Sequence, residues 1–195
     1  MKKVETVRNI SYNTFTTTGL ANYASSTTAP YRGYDPFIYP LSIDDQAPFE
    51  GKYNCINIAN WFLEKESMSL EKLQKMCYYA YAWCWAKNHF QIIKTTFFAM
   101  ANGPTSRDIA DFFEAKKNEL LHPMPDFLTN FDNVSTELLE SVWETYGEYT
   151  ENALNALSEA EAPWQVTYAA DPSGNGEINI NLIIEYYNSI AIKNG

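Results

Sequence analysis

Few side chains in this chain have both the type and the spacing for metal or acid–base chemistry. Asp171-Pro172-Ser173-Gly174-Asn175-Gly176-Glu177-Ile178 follows the first eight positions of an EF-hand calcium loop: oxygen ligands at positions 1, 3 and 5, glycine at 6, a β-branched apolar residue at 8. The twelfth position should supply a bidentate carboxylate, but it is Leu182. With that ligand missing, and Pro172 stiffening a segment that must wrap an ion, the stretch reads as a turn in which glycine and asparagine take positive φ. No metal and no other cofactor is expected. His89 and His122 stand at predicted element ends beside Phe90 and Pro123, positions typical of surface histidines. Asp108 with Asp111, and Glu140 with Glu144, fall at helical spacing and read as solvated faces. The chain has no glycine-rich phosphate loop, no His-Glu-x-x-His, no Gly-x-Ser-x-Gly and no Cys-x-x-Cys. It therefore reads as a non-enzyme.

Cysteine usage points the same way. The three cysteines, Cys55, Cys77 and Cys84, are odd in number, which argues against a disulfide framework. Cys77 and Cys84 sit seven apart on one predicted helix, about 10 Å along its axis, too far for a bond. All three read as small buried apolar residues.

The elements around these residues are mainly helical. Of the 195 residues 46% are hydrophobic and 15% aromatic, enough for a core and too many for a disordered chain. Residues 1–50 carry Thr16-Thr17-Thr18, Ser25-Ser26-Thr27-Thr28 and prolines at 30, 36, 40 and 48, which rule out a long helix there. Ile10, Tyr12 and Thr14 give a weak strand pattern. The expectation is an extended N-terminal arm over 1–50 and a single helical domain with a small β element over 51–195. Ile56, Ala59, Phe62 and Leu63 form a helical stripe. Ser69 is the expected cap of a helix running to Lys87, with Leu70, Leu73, Cys77, Ala80 and Cys84 on one face and Met76, Tyr79 and Trp83 beside it. A stripe so wide predicts a central, buried helix. Residues 89–99 look strand-like. Gly103-Pro104 is punctuation, Thr105 is expected to cap a helix reaching Leu121, and Ser135 another ending at Gly147. Thr150 starts a short helix, and a last one covers 182–192. No apolar run nears the roughly 20 residues that span a bilayer, and no apolar block follows Lys2 and Lys3 as a secretory signal requires. A cytoplasmic home without membrane contact is expected.

Charge is unevenly placed. The net charge is −10, yet residues 124–195 contain one basic residue, Lys193, against twelve acidic ones, so that stretch alone carries −11. Such asymmetry disfavours nucleic-acid backbones and favours a basic partner.

Leu70-Glu71-Lys72-Leu73-Gln74-Lys75-Met76-Cys77-Tyr78-Tyr79-Ala80, then Ala99-Met100-Ala101-Asn102-Gly103-Pro104, then Ala162-Pro163-Trp164 share no catalytic logic. In this order and spacing they resemble the Panacea (SocA-like) antitoxin domain, over about 57–187. That family has a leucine-glutamine-lysine-leucine helix running into aromatics, an alanine-tryptophan pair before glycine-proline-valine, and a late proline-tryptophan. The matching positions are Leu73, Gln74, Lys75, Tyr78, Ala99, Gly103, Pro104, Pro163 and Trp164, with Met100 where tryptophan is usual and Thr105 where valine is. The resemblance implies an antitoxin, often found on prophages, that neutralises a cognate protein toxin by direct binding; some members resemble adaptors that hand the toxin to an ATP-dependent protease. The motif residues themselves read as core, and Gly103-Pro104 as a strand-to-helix turn. Abundant tyrosine and tryptophan would suit an interface. The competing reading is an acidic phage-type inhibitor that imitates DNA or blocks a defence protein. Mimicry needs carboxylates spaced like phosphates over much of the surface, whereas here they concentrate in one third.

Overall fold

The computed structural model describes residues 51–194; the expected arm, 1–50, lies outside the described residues. Helix α1 (Cys55–Lys65) starts where Asn54 Oδ1 accepts the Ile56 amide at 2.8 Å, and buries Ile56, Ala59, Phe62 and Leu63. Helix α2 (Leu70–Asn88) is capped by Ser69, whose Oγ accepts the Lys72 amide at 3.2 Å. Glu71 in its first turn and Lys87 in its last oppose the helix dipole. It stops at His89, which takes the left-handed conformation at φ 57°.

From Leu73 to Ala82 every residue of α2 is buried, Leu73, Cys77 and Ala80 completely. A helix apolar all round needs neighbours on every side. α2 has them: α1, then α4 (Asn133–Tyr146), α5 (Glu151–Glu159) and α7 (Ile180–Asn194), with a strand against the remaining flank. The fold is mainly α with this helix at its centre.

The β structure is slight. β1 (Tyr53–Asn54) pairs in parallel with β2 (Ile93–Lys94), Tyr53 opposite Ile93. β3 (Phe97–Met100) and β4 (Gly103–Ser106) form an antiparallel hairpin with Met100 opposite Gly103. The other edge of β3 is taken by the chain before α7: the Ala99 amide donates to Gly176 O and the Ile178 amide to Phe97 O, both at 2.9 Å.

Two helix starts differ from expectation. α3 (Arg107–Phe112) is capped by Ser106, not Thr105, and ends well before Leu121. Thr105 belongs to the hairpin, opposite Phe98, which leaves the Ser106 hydroxyl to accept the Ile109 amide at 3.3 Å. Beyond a short 3₁₀ turn at Glu114–Lys116 the next apolar side chain, Leu120, is exposed, so no buried stripe sustains the helix. α4 is capped by Asp132 rather than Ser135; Asp132 Oδ1 accepts the Ser135 amide at 3.2 Å, and Ser135 itself is buried in the first turn. Asp132 also receives the Tyr53 hydroxyl and pairs with Lys52 at 2.8 Å. The lysine, with those hydroxyls, holds its carboxyl well below the usual carboxylate range.

α5 begins at Thr150 as expected, its Oγ1 accepting the Ala153 amide at 3.3 Å. α6 (Ala162–Ala170) was not expected from the sequence. Pro163 occupies its first turn, where a missing N–H costs nothing. Among the described residues no helix is long and apolar enough to cross a membrane.

Candidate functional site

The family-motif positions converge on one region, the N-terminal half of α2 and the β3–β4 hairpin beside it. Leu73 and Tyr78 are fully buried, as is Ala99 on β3. Gln74 grips the end of β4: its Nε2 donates to Ser106 O and its Oε1 accepts from Ser106 N, each at 2.9 Å. Ser106 Oγ and Thr95 Oγ1 are 2.7 Å apart, and Thr95 donates to Asp108 at 2.6 Å. Trp164 reaches from α6 to donate its indole N–H to Met100 O at 2.9 Å, at the hairpin turn, and stacks on Tyr168. Pro104 and Pro163 are buried.

Gly103 shows why that turn needs glycine. Its φ is +92°, and a Cβ there would stand 2.7 Å from Lys75 Cε and 2.8 Å from Ser158 Oγ. The missing side chain is the space through which Lys75 passes.

Lys75 is 1% exposed, yet its stem ends at a cleft of about 480 Å³. Among the described residues no carboxylate comes within ion-pair distance of its ammonium. Burial pushes the lysine down to about 8, opposed by the more distant charges of Glu71, Glu159 and Glu151. The cleft lies between the start of α2, the hairpin turn at Met100–Asn102, the start of α3 and residues 172–175. Arg107 stands at its wall, its Nη2 donating to Asn175 Oδ1 at 2.7 Å and its guanidinium 4.1 Å from the Phe98 ring centroid.

Residues 171–176, the EF-hand-like stretch, form one side of this cleft as a turn. Asp171 Oδ1 accepts from the Ser173 amide at 3.1 Å and from its hydroxyl, and Asn175 Nδ2 donates to Ser173 Oγ at 3.0 Å. These oxygens are spent on one another. Gly174 has positive φ, at +79°, but Asn175 does not, contrary to expectation, and Leu182 lies within α7.

A second polar cluster is sealed inside. Glu161 is 4% exposed and accepts the Tyr187 hydroxyl at 2.7 Å; the Tyr78 and Tyr79 hydroxyls lie beside this pair without completing hydrogen bonds of their own. Burial raises the Glu161 carboxyl to about 8. Buried and held toward its neutral form, it contributes nothing to the acidic surface.

The histidines are elsewhere. His122 Nδ1 is 2.8 Å from Ser67 Oγ, His89 ends α2, and neither lines the cleft. All three cysteines are buried and free, and burial raises their thiols, Cys55 to about 11 and Cys84 to about 12. Among the described residues six of the tyrosines and tryptophans expected at an interface are internal instead, Tyr78, Tyr79, Tyr81, Trp85, Tyr146 and Tyr187, with Tyr79 and Tyr146 stacked at 3.9 Å, and the others are half-buried. Sequence reasoning named Lys75 only as a motif member, and Glu161 only as one acid among many.

Residues 73–165, spanning Gln74, Lys75, the hairpin and Trp164, match the family model of the antitoxin SocA-like Panacea domain. No curated protein and no solved structure matches the chain.

Proposed function

With residues 73–165 forming a Panacea domain of the SocA-like antitoxin type, we propose that this protein is the antitoxin of a toxin–antitoxin pair and neutralises its toxin by binding it directly, without catalysis. The family match carries this reading. Two further observations support it. The chain spends its conspicuous motif side chains on scaffolding: Gln74 on Ser106, Trp164 on Met100, Leu73 and Tyr78 on the core. And the acids of the last third stay largely at the surface, with Asp126, Glu137, Glu144, Glu148, Glu177 and Glu185 exposed. Such a surface suits a basic toxin, because complementary charge accelerates encounter.

Co-expression is the test. Cells carrying the adjacent reading frame should stop growing alone and recover with this protein, and the purified pair should form a complex. Association should slow as salt rises, since charges act over a Debye length of about 8–10 Å at 0.10–0.15 M. The half-life of the toxin during rescue separates blocking from delivery to a protease: an unchanged half-life means blocking. Rescue without any complex would overturn direct binding.

A further inference from the structure

A buried ammonium with no counterion is costly to keep. Removing a charge from water is strongly unfavourable unless it is paired or hydrogen-bonded. Lys75 is 1% exposed, has no carboxylate within ion-pair distance among the described residues, and lines the cleft. Desolvation dominates its lowered proton affinity, as expected of a cation whose partner is missing.

The cleft walls indicate what the partner is. Two cations, Lys75 and Arg107, and one anion, Glu71, border it, and the carboxylates of Glu159 and Glu151 act on Lys75 from farther away, so the positive charge left to be met is small. Glu71 would repel a second negative charge. The rest of the wall includes Leu70, Met100 and Pro172, apolar side chains that suit a short carbon stem. Every part of the frame is tied in place. Gly103 opens the path for the lysine, Gln74 holds the end of β4, Trp164 holds the hairpin turn, and Asn175 with Phe98 fixes the Arg107 guanidinium. A frame already set loses little freedom when it binds.

We propose that this cleft is a carboxylate-binding pocket, in which Lys75 and Arg107 receive one carboxylate carried on a short apolar stem. The carboxylate comes either from an acidic or chain-terminal residue of the toxin or from a free small acid. Only the first source rests on the antitoxin reading.

Titration of the full chain decides the chemistry, with butanoate as the carboxylate probe and butanamide and inorganic phosphate as controls. Calorimetry gives affinity, and NMR of protein carrying ¹³Cε-labelled lysine locates the site. The free acid should saturate in the millimolar range or tighter and move the Lys75 signal, while amide and phosphate should not bind at the same concentrations. Lys75→Met, which keeps the length and removes the charge, should weaken binding by more than about tenfold, roughly 1.4 kcal/mol. Arg107→Gln alters only an exposed side chain and should weaken it several-fold, so the result does not depend on Lys75→Met folding. An absence of saturable acid binding, an amide or phosphate that binds as well as the acid, or full binding by both variants would each overturn the pocket.

Growth rescue by the variants then identifies the source. If both variants lose neutralisation, the toxin supplies the carboxylate. If both neutralise as the parent does while losing the acid, a free small acid supplies it. Failure of the parent protein to rescue would remove the antitoxin reading and leave the titration to decide the pocket alone.

Discussion

Gln74 meets the backbone of Ser106 twice, donating to its carbonyl and accepting from its amide at 2.9 Å each, so that one side chain from α2 does for the end of β4 what a neighbouring strand would. Both Ser106 groups are buried and have lost water. Gln74→Leu should therefore cost about 2–6 kcal/mol, because it leaves two buried backbone groups unpaired at about 1–3 kcal/mol each. Urea unfolding monitored by tryptophan fluorescence measures it, and a loss under about 1 kcal/mol would mean the strand end is held by something else.

Glycine is required at Gly103 for two reasons and at Gly174 for one. Both have positive φ, but a Cβ on Gly174 has its nearest contact at 3.6 Å, whereas one on Gly103 collides with Lys75 and Ser158. Gly174→Ala should cost about 1 kcal/mol of backbone strain, and Gly103→Ala distinctly more. Thermal melts of the two variants side by side test the order; equal costs would show that Lys75 simply moves aside.

The buried acid makes stability depend on pH in an uncommon direction. Glu161 is raised to about 8 in the fold, from about 4.3 in the unfolded chain. Between those values the folded protein holds a proton that the unfolded chain has released, so this group makes stability fall as pH rises through that window, by at most about 1.4 kcal/mol per pH unit. Below about 4.3 it contributes no slope. Glu161→Gln keeps an acceptor for Tyr187 and removes the proton equilibrium. It should match the parent near pH 4 and exceed it increasingly toward pH 8, in denaturant titrations across that range.

Lys75 gives the opposite slope at higher pH. Its folded value of about 8 lies below the unfolded value of about 10.4. The unfolded chain binds more protons between them, so the lysine's penalty is complete below pH 8 and fades as pH rises toward 10. Lys75→Met should therefore stabilise the protein at pH 7, with a gain that shrinks above pH 8. A destabilised Lys75→Met variant would mean that the ammonium has a compensating partner in solution.

The parts of this fold that a reader of the sequence can recover are those written in local chemistry. Ser69 and Thr150 stand at helix starts and cap them through their own hydroxyls, and the apolar face of α2 announces a central helix. Where two capping residues compete the sequence is ambiguous. Asp132 takes α4 from Ser135, and Ser106 takes α3 from Thr105, because strand pairing and the contact to Tyr53 decide and neither is local. α6 escaped because Trp-Gln-Val-Thr-Tyr has little helical preference, and only its proline at the start marks it. The cleft was not legible at all. Lys75 looks like any lysine on a helix until a hairpin turn and the 172–175 segment enclose it. Glu161 looks like one more surface acid until Tyr187, twenty-six residues on, closes over it.

The three free thiols turn the protein into a reporter of its own opening. Cys55, Cys77 and Cys84 lie within 5% exposure on the two helices that make the centre of the fold, and their raised proton affinity leaves almost no reactive thiolate at neutral pH. An alkylating reagent can reach them only when those helices separate. The rate of labelling thus reads the frequency of that event directly, without any engineered probe. Residues 55 and 84 lie at the same end of the α1–α2 pair, beside the β1–β2 ladder, and Cys77 lies nearer its middle, so the rates of the first two against the third tell whether the pair frays from that end or parts as a unit.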